Sequence, residues 1–321
     1  MKIVKLSPSK LQGELEKPSA KAYAHRYILA SFLAEKKVEL IGNFQGDDIR
    51  YSLNAIECLG AKVSTFGDKS IKRIVIDYNH NNMVNPYNND VLTIRIGESG
   101  SSLRFLIPIC AALNKHVVID GLGRLSERPI EELVCALEMN GIAFKTRSLP
   151  LEFSGQLKGG IFKIDPSKSS QYVTGLLLAL PLLKEDSKIL FTGEVTSTPY
   201  IDMTLDVLNK FGIKVYKNTN GFTIPGNQQY IAKDSYVVEA DWSSAGYIAL
   251  LGTAFGNISM SGLNSKSMSP PSPPSAPSAG SEEPPPQPVS TIADAIASAS
   301  SLLTLLFMKL SPFRFAYHTI R

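Results

Sequence analysis

The chain has 321 residues, 44% hydrophobic and 19% charged, with a formal net charge of +4. That length points to about two domains with sizeable cores. So modest a charge lacks the basic stripe of a nucleic-acid binder, and no nucleic-acid partner is expected.

Residues 2–6 alternate as a strand does, without the long apolar core of a signal peptide, and Leu11 to Leu15 read as a second short strand. Lys17-Pro18-Ser19-Ala20-Lys21 reads as a turn. A helical pattern then runs to Lys37, with Tyr23, Tyr27, Ala30 and Leu33 along one side. Lys21 and Arg26 flank the first turns of this helix, where the dipole is already positive. Two cations there make sense if an anion sits between them.

A repeat follows. Residues 51–63, 132–144 and 204–215 each read as helix, glycine C-cap and strand. Aligned on Gly60, Gly141 and Gly212, apolar residues recur seven, five and four places before the glycine and one and three places after it. Glycine is what a left-handed C-cap requires. Earlier helices begin near residues 21, 100 and 169, so the chain carries three units, each with two helices and several strands.

In the second unit, Gly97-Glu98-Ser99-Gly100-Ser101-Ser102-Leu103-Arg104 is a small-residue turn opening a helix. Backbone N–H groups can approach a ligand closely there. It lacks the lysine of a P-loop, and Gly121-Leu122-Gly123 lacks the third glycine of a dinucleotide fingerprint. Ser126-Glu127-Arg128-Pro129 reads as the start of that unit's second helix, with proline in the first turn. In the third unit, Asp165 to Tyr172 leads into the apolar run Val173 to Leu183. Ser169 and Ser170 stand where hydroxyls and unpaired N–H groups converge, a place that suits phosphate. Ser197-Thr198-Pro199-Tyr200 repeats the theme.

Asp241 to Ala245 opens another capped helix, and Asn257 to Leu263 is strand-like. Residues 267–290 contain nine prolines and read as a disordered linker. The apolar stretch 291–321 is too short for a domain. The apolar runs at 173–183 and 245–256 are too short or interrupted to span a bilayer, so no membrane partner is expected. Three cysteines in apolar helical patterns (Cys58, Cys110 and Cys135) argue against a disulfide framework and for a reducing cytoplasm. His80, His116 and His318 stand alone in the sequence and read as structural or solvated, and Trp242 as a core or cleft-wall residue. No metal-ligand cluster is visible.

With these motifs assembled, residues 1 to about 268 resemble the EPSP synthase (3-phosphoshikimate 1-carboxyvinyltransferase) family. The likeness rests on Lys21 with Ala24-His25-Arg26, Gly97 to Gly100, Glu127 to Ile130, Ser169-Ser170-Gln171, Pro199 to Asp202 and Asp241 to Ala245. It implies an α/β fold: a two-domain inside-out α/β barrel of βαβαββ repeats, with the second domain incomplete. Residues 16–239 would be the complete domain, and 1–15 plus 240–266 a fragment of the other. Lys21, Arg26, Ser169, Ser170, Gln171, Ser197 and Tyr200 would hold shikimate 3-phosphate. Lys21, Gly100, Arg128 and Gln171 would meet phosphoenolpyruvate, and Lys21 would also be catalytic. The implied reaction transfers the enolpyruvyl group of phosphoenolpyruvate to the substrate's 5-hydroxyl and releases phosphate. It needs paired acid and base groups in a closed cleft. No metal or organic cofactor is implied, and a cytoplasmic monomer is expected.

The chain departs from the family pattern in three places. Ala22 replaces the usual serine after the first lysine, removing a hydroxyl contact whose loss weakens binding by about tenfold or more. Glu98 stands where asparagine is frequent and receives no role. The family's C-terminal acid/base aspartate and its further cations have no counterpart after residue 268, Asp294 being a poor match, so turnover by this chain alone is doubtful. Two other readings are a non-catalytic phosphate-ligand-binding remnant and the sister transferase acting on UDP-N-acetylglucosamine.

Overall fold

A computed structural model describes residues 11–78, 91–246, 248 and 256–268. The expected strand at 2–6, the proline-rich linker from 269 onward and the 291–321 stretch lie outside the described residues, as do His80 and His318.

In chain order, β1 (Leu11–Glu16) precedes α1 (Lys21–Leu33), β2 (Val38–Phe44), α2 (Asp47–Cys58), β3 (Lys62–Phe66) and β4 (Ile71–Asp77). Then come β5 (Leu92–Arg95), α3 (Gly100–Ala112), β6 (Val117–Asp120), a 3-10 turn over Gly123–Glu127, α4 (Glu131–Glu138), β7 (Ile142–Phe144) and β8 (Leu151–Gly155). The third stretch holds β9 (Ile161–Ile164), α5 (Ser170–Ala179), β10 (Ser187–Phe191), α6 (Thr198–Lys210), β11 (Tyr216–Asn218) and β12 (Gly221–Ile224). β13 (Ser235–Val237) and β14 (Gly256–Ser261) follow.

Three four-stranded sheets share one plan, with orders β13-β2-β4-β3, β5-β6-β8-β7 and β9-β10-β12-β11. In each, the first pair is parallel and the next two pairs are antiparallel. The βαβαββ repeat is therefore real, but the first unit's opening strand is β13, supplied by residues 235–237. β1 instead pairs in parallel with β14, Leu11 opposite Gly256 through Glu16 opposite Ser261, in a separate two-stranded ribbon. The described sheets stay separate and form no closed barrel.

Strand faces alternate, as in the exposed–buried–exposed–buried pattern of β9, and the buried side packs on the helices. α1 is buried from Tyr23 through Leu33, and α3 and α5 are buried almost all round. A helix apolar all round belongs inside, so the single face assigned to Tyr23, Tyr27, Ala30 and Leu33 is only part of the buried surface. Gly175 lets α5 lie against α3, since a Cβ there would run into the Arg104 carbonyl.

Several local expectations are corrected. α1 stops at Leu33, four residues before Lys37, and Glu35 adopts φ 49° just after it. The stretch before α1 is extended, with Ser19 bridging Ala240 and Ala20 N donating to Glu239 O at 2.8 Å. The helix expected from Ser126 begins at Glu131, because Arg128 precedes a proline and takes an extended conformation (φ −79°, ψ 129°). The three repeat glycines do hold positive φ, 110° at Gly60, 103° at Gly141 and 75° at Gly212. His116 does not stand alone: its Nε2 lies 3.2 Å from Glu152 Oε1. Trp242 is half-buried and donates from Nε1 to Asn264 O at 2.8 Å. All three cysteines are free, and burial pushes the Cys110 thiol up to about 12.

Candidate functional site

The motif residues gather at the N-terminal ends of α1, α3, α5 and α6. These starts are locally coded. Ser99 caps α3, its Oγ accepting from Ser102 N at 3.3 Å, and Ser169 caps α5, its Oγ accepting from Gln171 N at 3.2 Å. Thr198-Pro199 opens α6, where Ser197 makes no side-chain cap bond. α1, α3, α5 and α6 carry no acidic residue in their first turns, so their positive ends are not neutralised from within.

Polar contacts stitch these ends together. Gln171 Oε1 accepts from Arg104 at 2.9 Å while its Nε2 donates to Ser101 Oγ at 3.1 Å, joining α5 to α3. Arg104 also donates to Pro129 O at 3.0 Å, and its guanidinium lies 5.6 Å from the centre of the Tyr172 ring. Burial lowers the Arg104 pKa, and the charge of Arg128 adds to the effect. The two cations meet at Gly100: a Cβ there would lie 2.8 Å from Arg128 Nη1 and 3.1 Å from Arg104 Nη1. Gly100 is therefore required by close approach. Gly97 is required too, since its φ is 55° and a Cβ would enter the Tyr51 ring.

Lys21 is the first residue of α1, 59% exposed, with Nζ 2.7 Å from Asp48 Oδ2. Burial raises the Asp48 carboxyl. The hydrogen bond and charge of Lys21 and a hydrogen bond from Ser99 outweigh this and hold it below the usual carboxylate value.

Arg26 is turned into the protein interior. It is 2% exposed, donating from Nε to Thr204 Oγ1 at 2.8 Å and from Nη2 to Tyr200 O at 2.8 Å and Thr174 Oγ1 at 3.1 Å. Nη1 donates to Ala22 O at 2.6 Å, and the guanidinium lies over Phe105, 5.4 Å from its centroid. Burial lowers its pKa to about 10. Arg26 thus clamps α1 to α5 and α6 from inside. Ser170 is also buried, whereas the Tyr200 side chain and Arg128 are exposed.

Sequence reasoning gave no role to Arg104, Asp48, Thr174 or Thr204. Arg104 was within reach of it, standing four places after Gly100 and so one turn into α3. The partners of Asp48 and the two threonines are distant in sequence and carry no local signal. Among the described residues no group of three His, Cys, Asp or Glu side chains is placed to hold a metal ion, and no helix is long and apolar enough to cross a membrane.

The fold defines the class: an α/β protein of three repeated units, with helix N-termini linked along one polar rim. Residues 6–269 match the family model for EPSP synthase (3-phosphoshikimate 1-carboxyvinyltransferase). A 3-phosphoshikimate 1-carboxyvinyltransferase of Clostridium perfringens is 38% identical over 272 residues, covering 83% of this chain and 62% of the relative. The Clostridium novyi enzyme is 34% identical over 274 residues, covering 84% and 62%. An Actinobacillus pleuropneumoniae enzyme is 35% identical over 282 residues, covering 84% and 63%. The solved EPSP synthase of Acinetobacter baumannii superposes with a TM-score of 0.67 at 23% identity, over 81% of this chain and 57% of that one, a likeness of fold. The chain belongs to the EPSP synthase family, and spans about 62% of the length of the curated relatives it matches.

Proposed function

We propose that this chain binds shikimate 3-phosphate and phosphoenolpyruvate and serves enolpyruvyl transfer to the 5-hydroxyl of the former. The observation that carries the reading is the rim where Lys21, Gly100, Ser169 and Gln171, from three units, stand on helix starts that carry no acid of their own, with Arg128 reaching Gly100 from the adjoining turn and Lys21 paired to Asp48. Two polyanionic ligands side by side need such fixed cations and N–H groups to offset their repulsion. Lys21, Ser169, Ser197, Tyr200 and Gln171 face the sugar phosphate in this reading; Gly100, Arg128 and Lys21 face phosphoenolpyruvate. Arg26 supports the floor of the site, with one N–H of Nη1 left for a ligand. Residues 16–239 form the ligand-binding domain, and β1 with β14 belong to the second. We place the protein in the cytoplasm as a monomer.

Isothermal titration of shikimate 3-phosphate into the purified chain at fixed salt tests this, beside Lys21→Met and Arg128→Ala. Both side chains are exposed enough to be changed without opening the core. Binding of shikimate 3-phosphate that Lys21→Met weakens on the order of tenfold supports the reading. A folded chain that ignores both ligands, or that takes UDP-N-acetylglucosamine instead, overturns it.

A further inference from the structure

The turn that carries Arg128 is exposed from Ser126 to Pro129 and lies between the buried side chains of Leu125 and Ile130. A cavity of about 210 Å³ borders it, with Leu103, Arg128, Pro129, Arg147 and Leu149 in its lining. Packing gives the turn little support on that side, so hydrogen bonds have to place it.

Proline has no N–H, and the carbonyl is the one backbone polar group that Pro129 can offer. Two donors reach it from two helices. Tyr172 on α5 donates from its hydroxyl at 2.6 Å, and Arg104 on α3 donates from Nη2 at 3.0 Å. Both donors are buried, Tyr172 being 1% exposed and Arg104 6%. Burial raises the Tyr172 phenol above its ordinary value, so it stays protonated and remains a donor at neutral pH. Arg104 Nη1 also holds Gln171 Oε1 at 2.9 Å, so one guanidinium ties the residue before Tyr172 to the residue after Arg128.

These bonds bear on Arg128 through the backbone. Arg128 precedes a proline and is extended at φ −79° and ψ 129°, its N–H donating to Leu125 O at 3.1 Å. With φ and ψ so restricted, fixing the Pro129 carbonyl constrains the direction in which the Arg128 side chain leaves the turn. Its Nη1 lies where a Cβ on Gly100 would come within 2.8 Å.

We infer that Tyr172 is a positioning residue: its hydroxyl, beside Arg104, anchors the Pro129 carbonyl and so aims the Arg128 guanidinium at an anion bound beside Gly100. The naming of that anion as phosphoenolpyruvate rests on the proposed function; the anchor does not.

Tyr172→Phe removes one hydroxyl and keeps the ring, so the chain is expected to fold. Amide hydrogen exchange of the full chain reads the anchor. The Arg128 N–H is expected to exchange about fivefold faster in Tyr172→Phe, while amides inside α5 keep their wild-type rates. Titration reads the aim. Phosphoenolpyruvate, added with shikimate 3-phosphate present, is expected to bind about fivefold more weakly to Tyr172→Phe, and shikimate 3-phosphate alone to bind as it does to wild type. In an Arg128→Ala background the substitution is expected to cost phosphoenolpyruvate nothing further, because the group being aimed is gone. Unchanged exchange at Arg128 overturns the anchor. An equal effect on both ligands, or a loss that persists without the Arg128 side chain, overturns the positioning role. A folded wild-type chain that binds neither ligand sinks the proposed function instead, and the exchange rates still decide the anchor.

Discussion

The inner helices α1, α3 and α5 and the amphipathic helices α2 and α4 are cut from similar lengths of chain, yet they treat charge in opposite ways. α2 and α4 each bury one face and place two acidic residues in the first turn, Asp47 and Asp48 in one and Glu131 and Glu132 in the other. Those carboxylates answer their own helix dipoles. The inner helices are apolar almost all round, lack first-turn acids, and carry their few charges where hydrogen bonds or a partner's carboxylate await them. Arg26 donates to two threonine hydroxyls and two carbonyls, and Arg104 to Gln171 and Pro129. Buried cations held by neutral acceptors keep a net positive field beneath the rim. The amphipathic helices offset their own dipoles and also hold outside cations, Asp48 taking Lys21 and Glu132 taking Lys168, whereas the inner ones carry no acid of their own at the end where a ligand would bind.

The sharpest break of that contrast is packing. Leu177→Ala on α5, fully buried, is expected to cost about 2–5 kcal/mol in denaturant unfolding. Next comes acid. Burial holds His25 neutral, its pKa lowered from 6.5 to about 4, while an unfolded histidine stays ordinary. Between those values the unfolded state binds the extra proton. Stability is thus full above pH 6.5 and is lost as pH falls toward 4, by about 3 kcal/mol at most. Unfolding midpoints followed from pH 7 to 5 should fall in wild type and fall less in His25→Asn. Arg26→Met should cost about 1–3 kcal/mol, since it removes three hydrogen bonds that tie α1 to α5 and α6, although Thr174, Thr204 and Tyr200 O keep bonds to one another. A neutral result would mean that its charge is kept for a ligand rather than for the fold. Gly100→Ala should leave the melting curve nearly unchanged but displace Arg128, weakening phosphoenolpyruvate binding on the order of tenfold by titration. Asn54→Ala, on the exposed face of α2, should stay within about 0.5 kcal/mol.

What could be read along the chain was what short spans encode. The glycines after α2, α4 and α6 marked the repeat because a left-handed cap depends on one residue. Ser99 and Ser169 marked helix starts because a cap reaches only two or three places ahead. Arg26 was legible only in part for the same reason: its position in the first turns of α1 could be read, while the Thr174 and Thr204 hydroxyls that it bonds lie 148 and 178 positions away. The 3-10 turn before Pro129 displaced a helix start that the proline had suggested. β13 gave no signal, being three residues long and defined by pairing with β2.

That strand sets an order on synthesis. The β-sheet holding β2, β3 and β4 lacks its parallel edge until Val237 has been made, and Lys36 waits for Asp234 across 198 positions. The second and third units have all their strands in one continuous stretch and can form as they leave the ribosome. The first-made of the three units is therefore the last to be finished, and until then the backbone edge of β2 stays open to capture by a wrong partner.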